Sequence, residues 1–238
     1  MIELRPFNTL GAADHGWLDA HHHFSFSSYH DPDRTNWGRL RVWNDDTIAP
    51  KSGFPAHPHN DMEIVTYVRK GAITHRDSLG NEGRTEAGDV QVMSAGTGIR
   101  HSEYNLEDEE TTLFQIWILP DRRGEAPSWG ARPFPKDARE GKFVTLASGV
   151  AGDDDVLPIR ADARVLGAGP RVWLGLFLGH PGPTVLKPGC GRIGAWWDGR
   201  RWGDVPGVAG RLRLRAHPAR RRAPGRRPRC RPCPPAAR

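Results

Sequence analysis

Between residues 40 and 120, apolar and polar positions alternate in short runs separated by turn residues. "LRVWNDD" (40–46) predicts a strand ending in a turn. "EIVTYV" (63–68) predicts another, rich in the β-branched side chains that suit a pleated surface. The Gly- and Asp-rich "DSLGNEGRTEAGD" (77–89) reads as a turn region and "VQVM" (90–93) as a short strand. "SAGTG" (94–98) is a further turn, "IRHSEYN" (99–105) a strand, and "TTLFQIWILP" (111–120) a longer strand stopped by Pro120. Short strands punctuated in this way predict an all-β sandwich or barrel.

Composition supports that picture: 28 Gly and 21 Pro in 238 residues favour turns over long helices. The length allows one large β domain or two small ones. No apolar run approaches the roughly 18 residues of a membrane span; "VWLGLFLG" (172–179) is far too short. The first twenty residues carry Glu3, Asp14 and Asp19 and no apolar segment, so they do not read as a signal peptide. A soluble, cytoplasmic protein without a membrane partner is expected. Three cysteines, Cys190, Cys230 and Cys233, argue against a disulfide framework.

Charge divides the chain near residue 168. Residues 1–168 hold 18 Lys+Arg against 26 Asp+Glu, a net of −8, whereas 169–238 hold 16 against 2, a net of +14. The basic part carries 12 Gly, 11 Pro and four of the nine Trp, and ends in "RAHPARRRAPGRRPRCRPCPPAAR" without strand or helix periodicity. Three readings fit it. Arg, Pro, Gly, Ala, Cys and Trp are what GC-rich DNA gives when translated out of frame, and the abrupt change after "LPIRADARVLGA" (157–168) favours this reading. A disordered tail is the second. An arm binding nucleic-acid phosphates is the least favoured, so no nucleic-acid partner is expected. Cys230-Arg-Pro-Cys233 has metal-like spacing, but a single CxxC with no second pair is a weak signal.

The chemistry lies in the acidic part. His57 and His59 stand two apart in a strand-like stretch, so both point to one face. His101 and Glu103 repeat the spacing in a second strand. Two such pairs place three imidazoles and one carboxylate around a single ion. That donor set suits Fe(II), Mn, Ni, Cu or Zn, and leaves coordination positions open for a substrate. Glu63, about 13 Å beyond His59 along an extended strand, reaches the ion only through a bulge and reads, like Asp61, as a pocket carboxylate. His75 and Asp77 read as hydrogen-bonded turn residues at the same mouth. The triple His21-His22-His23 lacks a partner pair and reads as a weaker candidate.

"GFPAHPHNDMEIVTYVRKGAITHRDSLGNEGRTEAGDVQVMSAGTGIRHSEYN" (53–105), with "HFSFSSYHDPDRTNWGRLRVWNDD" (23–46) upstream, resembles the pirin family of the cupin superfamily. The likeness is to its bacterial branch, described as quercetin 2,3-dioxygenases, and extends over about residues 2–168. The resemblance implies a bicupin, two β-barrels of the double-stranded β-helix type, with a metal, typically iron, in the first. Its ligands would be His57, His59, His101 and Glu103. The implied layout is an N-terminal metal-binding barrel (1–124), a linker with the opening strands of a second barrel (125–168), and the basic segment (169–238). Because only "KFVTLAS" (142–148) and "LPIRADARVLGA" (157–168) resemble the second barrel, it is expected to be incomplete or disordered after residue 168. The implied activity is opening of a flavonol ring, such as that of quercetin, by O₂, with Glu103 as general base. The alternatives are a metal-containing partner of a transcription factor, and an inactive truncated homologue.

Overall fold

The computed structural model describes residues 5–134 and 143–168, with side chains as far as 167, and the backbone of 173–178 and 192–194. Cys190, Cys230, Cys233 and the Arg-rich tail lie outside the described residues. Among the described residues, no helix is long and apolar enough to cross a membrane.

After a 3₁₀ turn at Phe7–Thr9, the described elements are β1 (Gly11–Asp14), β2 (Leu18–His22), β3 (Leu40–Ile48), β4 (Ser52–His59) and β5 (Glu63–Lys70). Next come β6 (Ala72–Asp77), β7 (Glu82–Glu86), β8 (Val90–Ser94), β9 (Ile99–Asn105), β10 (Thr111–Ile118) and β11 (Ser128–Arg132). The last are β12 (Val144–Ser148), β13 (Leu157–Pro158), β14 (Ala163–Ala168), β15 (Trp173–Leu178) and β16 (Arg192–Gly194). A seven-stranded sheet in the order β1-β2-β3-β10-β5-β8-β11 faces a four-stranded sheet in the order β4-β9-β6-β7, and the two enclose a barrel.

Strand parity sorts the side chains of the larger sheet. On its outer face Trp43, Val65, Tyr67, Val92, Phe114 and Ile116 pack with Leu146, Ala147, Ile159 and Val165 of the C-terminal segment in one buried cluster. Two smaller apolar clusters lie between the sheets: Leu18, Ala20, Ile48, Val68 and Leu113 of the larger sheet with Ile73 of β6, and Ile64 and Met93 with Ala95 and with Ile99 of β9. Polar side chains of the larger sheet, Thr66, Gln91 and Gln115, also point inward and meet Glu103 of β9 in the smaller sheet, where the site lies.

The region expected to be a turn, 77–89, contains β7. This edge strand is largely exposed, so it shows no apolar alternation in sequence. Gly83 within it is a close-approach glycine: a Cβ there would lie 2.3 Å from the Trp129 ring. Pro55 and Pro58 fall in β4, an edge strand, where a missing N–H is tolerated. The C-terminal sheet runs in the order β13-β12-β14-β15-β16, and β15 and β16 extend it antiparallel beyond residue 168.

Candidate metal centre

Two neighbouring strands supply the imidazoles. In β4 the spacing from Phe54 to His57 is three, yet both line the cavity. A bulge between Phe54 and His57 accounts for this: Phe54 pairs with Glu103, and His57, not Ala56, pairs with His101. The extra residue resets parity, so His57 and His59 face inward beside His101. Gly53 permits the close pairing with β9, since a Cβ there would lie 2.2 Å from the Glu103 carbonyl oxygen.

One ligand atom from each of His57, His59 and His101 falls within 4.8 Å of the other two. Their protonation can be traced from their partners. His57 Nδ1 lies 2.7 Å from the Pro55 carbonyl, which only accepts, so Nδ1 carries the proton and Nε2 presents a lone pair. Asp77 Oδ2 accepts from His75 Nε2 at 3.0 Å. In that tautomer His75 Nδ1 accepts from His101 Nδ1, 3.4 Å away, leaving His101 Nε2 as a second lone pair. The two Nε2 atoms are 3.1 Å apart. Two lone pairs at that separation repel unless a cation lies between them. Burial, reinforced by His57 and His75, pushes His101 down to about 3, which disfavours a proton as that cation. His59, lowered to about 4 chiefly by burial, has a buried Nε2 with no hydrogen-bond partner. Cis ligands about 2.1 Å from a metal lie about 3 Å apart, so the donor set fits a divalent transition ion.

The surroundings hold these rings in place. Trp117 meets His59 edge to face, with centroids 4.9 Å apart. Trp129 stacks on His75 at 4.7 Å and 8°. Asp77 is fixed by the backbone N–H groups of Leu79 and Asn81 and by the Asn81 side chain.

Glu103 shares the inward face of β9 and lines the same cavity, but it is not one of the three clustered groups. It is 3 % exposed and accepts three hydrogen bonds: from Thr66 Oγ1 and Gln91 Nε2 on Oε1 at 3.0 and 2.6 Å, and from Gln115 Nε2 on Oε2 at 2.6 Å. Asn105, next on that face, donates to the carbonyls of Ile48, Ala49 and Glu109 and anchors the end of the strand.

The other residues singled out in the sequence are placed elsewhere. Glu63 Oε2 accepts from Ser94 Oγ and the Arg160 backbone N–H, tying the barrel to the C-terminal segment. Asp61, at φ 45°, accepts from the Gly124 N–H. His75 is fully buried behind His101. In the triple histidine, His21 pairs with Asp19 while His22 faces the cavity and donates from Nδ1 to Asn44 Oδ1 at 3.0 Å. Burial pushes His23 down to about 3.

The cavity measures about 630 Å³ and its accessible lining is mostly apolar, with Trp17, Phe26, Phe54, Ile64 and Trp117 among its walls. Its polar members beyond the cluster include His22, Asn44, Asp46, Glu103 and Gln115. Sequence reasoning missed Asn44, Asp46 and Gln115. Their signal was polar residues on the inward parity of strands that are otherwise apolar. Burial, then Asp45 and Glu103, raises the Asp46 carboxyl well above the ordinary range.

The Pirin family model matches residues 3–118. A pirin-like protein of Caulobacter vibrioides is 72% identical over 168 residues, covering 71% of this chain and 72% of that protein. A quercetin 2,3-dioxygenase of Escherichia coli is 41% identical over 213 residues, covering 83% of this chain and 90% of the relative. Among solved structures, the bacterial pirin YhhW of Escherichia coli in complex with nickel(II) superposes with a TM-score of 0.66 at 44% identity, covering 72% of each chain. With its all-β architecture, its inward-facing histidines and these likenesses, the chain belongs to the Pirin family.

Proposed function

We propose that this protein is a cytoplasmic, pirin-type dioxygenase that holds one divalent transition metal, Fe(II), through His57, His59, His101 and Glu103, and opens the heterocyclic ring of a flavonol such as quercetin with O₂. The observation that carries the metal is the pair of Nε2 lone pairs 3.1 Å apart, with the partnerless Nε2 of His59 beside them. The quercetin dioxygenase name of the Escherichia coli relative supports the substrate class. When bound, the ion supplies Lewis acidity toward a substrate oxygen and a route for electrons to O₂.

The residues divide the remaining work. Pro55 and His75 fix the tautomers of His57 and His101, so both rings are presented as ligands. The apolar walls remove water from a flat aromatic ligand. Glu103 is the general base, taking the substrate hydroxyl proton onto a carboxylate oxygen in exchange for one of its three hydrogen bonds. A cavity inside the barrel favours a small molecule over a protein or nucleic-acid partner at this site. O₂ uptake by iron-loaded full-length protein tests the reading. Consumption with quercetin is expected, and its loss in Glu103→Gln at an iron concentration that restores one ion per chain; no uptake by the wild type overturns it.

A further inference from the structure

The cavity has a second polar end that the metal chemistry does not use. Register places it. Along β10 the inward side chains are Trp117, Gln115 and Leu113. Trp117 lies against His59, Gln115 bonds Glu103 and pairs with Asn44, and Leu113 pairs with Asp46. Asp46 therefore sits four residues along the strand from the His59 level, about 13 Å at the rise of an extended chain, yet it lines the same cavity. Asp46 is 2 % exposed, and its Oδ1 is buried with no hydrogen-bond partner, beside the apolar Ala20 and Leu113. A buried polar atom in such a place costs stability unless something bonds to it. Next to it, Asn44 spends its Oδ1 on His22, so its amide N–H groups remain as donors.

We propose that Asp46, with the Asn44–His22 pair, forms a second binding subsite that takes a ring hydroxyl at the far end of a flat polyphenol whose other end lies at the imidazole cluster. This rests on the flavonol reading above and deepens it. The hydroxyl donates to Asp46 Oδ1, and its oxygen accepts from the Asn44 amide. Trp17 and Phe54 supply apolar wall between the two ends. The subsite gives the enzyme a preference for flavonols hydroxylated on the outer phenyl ring, because a ligand without that group leaves the carboxyl unpaired.

The test is a fluorescence titration of the metal-loaded, full-length protein, using Trp17 and Trp117 in the cavity wall as reporters. The probes are quercetin and galangin, the same flavonol without hydroxyls on its outer ring. Wild type is expected to bind quercetin about 10- to 100-fold more tightly than galangin. Asp46→Leu is expected to bring that ratio close to one, and Asp46→Asn, which keeps the shape and a polar partner, to leave it intermediate. Equal affinity of wild type for the two flavonols, or an unchanged ratio in Asp46→Leu, overturns the subsite alone and means that only water meets the carboxyl. Failure of wild type to bind either flavonol removes the flavonol reading and the subsite with it.

Discussion

On the outer face of the seven-stranded sheet, Val65, Tyr67, Phe114 and Ile116 are buried against the C-terminal segment in a close-packed apolar layer. One position along on the same strands, Thr66 and Gln115 turn inward, and with Gln91 they bond the Glu103 carboxylate. One face holds the protein together through area removed from water; the other spends that potential on a ring of donors around an anion. Alternation lets a single sheet do both, because neighbouring residues of a regular strand face opposite ways. Stability and site are therefore separable by parity, and substitutions on adjacent residues of β10 should have different consequences.

The largest effect belongs to the outer face. Phe114→Ala should lower unfolding free energy by about 3–5 kcal/mol, read by denaturant titration, while the folded fraction keeps its metal content. Its inward neighbour should behave otherwise. Gln115→Leu leaves one oxygen of Glu103 without its donor, costing about 1–3 kcal/mol. It should also weaken metal binding by about 10- to 100-fold, measured by competition with a chromophoric chelator; equal effects of the two variants on metal affinity would break the separation. His75→Phe keeps a ring against Trp129 but removes the acceptor of His101 Nδ1. A loss of about tenfold in metal affinity is expected, with a stability cost of about 1–3 kcal/mol because the buried Asp77 carboxylate loses the His75 Nε2 donor.

The smallest effect lies in the C-terminal segment, where Arg164 holds Asp153 through both carboxylate oxygens and Ser148 adds a hydroxyl. The Arg164 hydrogen bond lowers the Asp153 carboxyl below its usual value, followed by that of Ser148. A carboxyl lowered by folding stabilises above its unfolded value, and the benefit is lost as pH falls through the folded one. Asp153→Asn should cost no more than about 1 kcal/mol at pH 7, and the difference from wild type should vanish in acid.

Much of this was legible in the sequence. The strand 99–105 has its expected bounds, and the tracts 63–68, 90–93 and 111–120 lie within or close to β5, β8 and β10, because apolar alternation records which face is buried. The three imidazoles were visible as same-face pairs. That they meet depends on the β4 bulge, which sequence spacing does not display, since the pairing of Ala56 and His57 with β9 is decided across strands. β7 escaped because an exposed edge strand needs no apolar pattern. His75 read as a turn residue, whereas it stands in β6 as the support of His101, a role set by a contact 26 residues away. Asn44–Asp46 read as a turn ending the strand, whereas β3 runs on to Ile48, and the importance of Asp46 comes from the cavity it faces.

Three imidazole nitrogens within 4.8 Å of one another, two of them 3.1 Å apart, are placed to converge on one divalent ion. X-ray absorption fine structure on the full-length protein loaded with nickel(II) counts those rings directly. One ion per chain with three imidazoles at about 2.1 Å is expected, falling to two rings or to an empty site in His101→Ala. Fewer than three imidazoles in the wild type, or an unchanged spectrum in that variant, would contradict it.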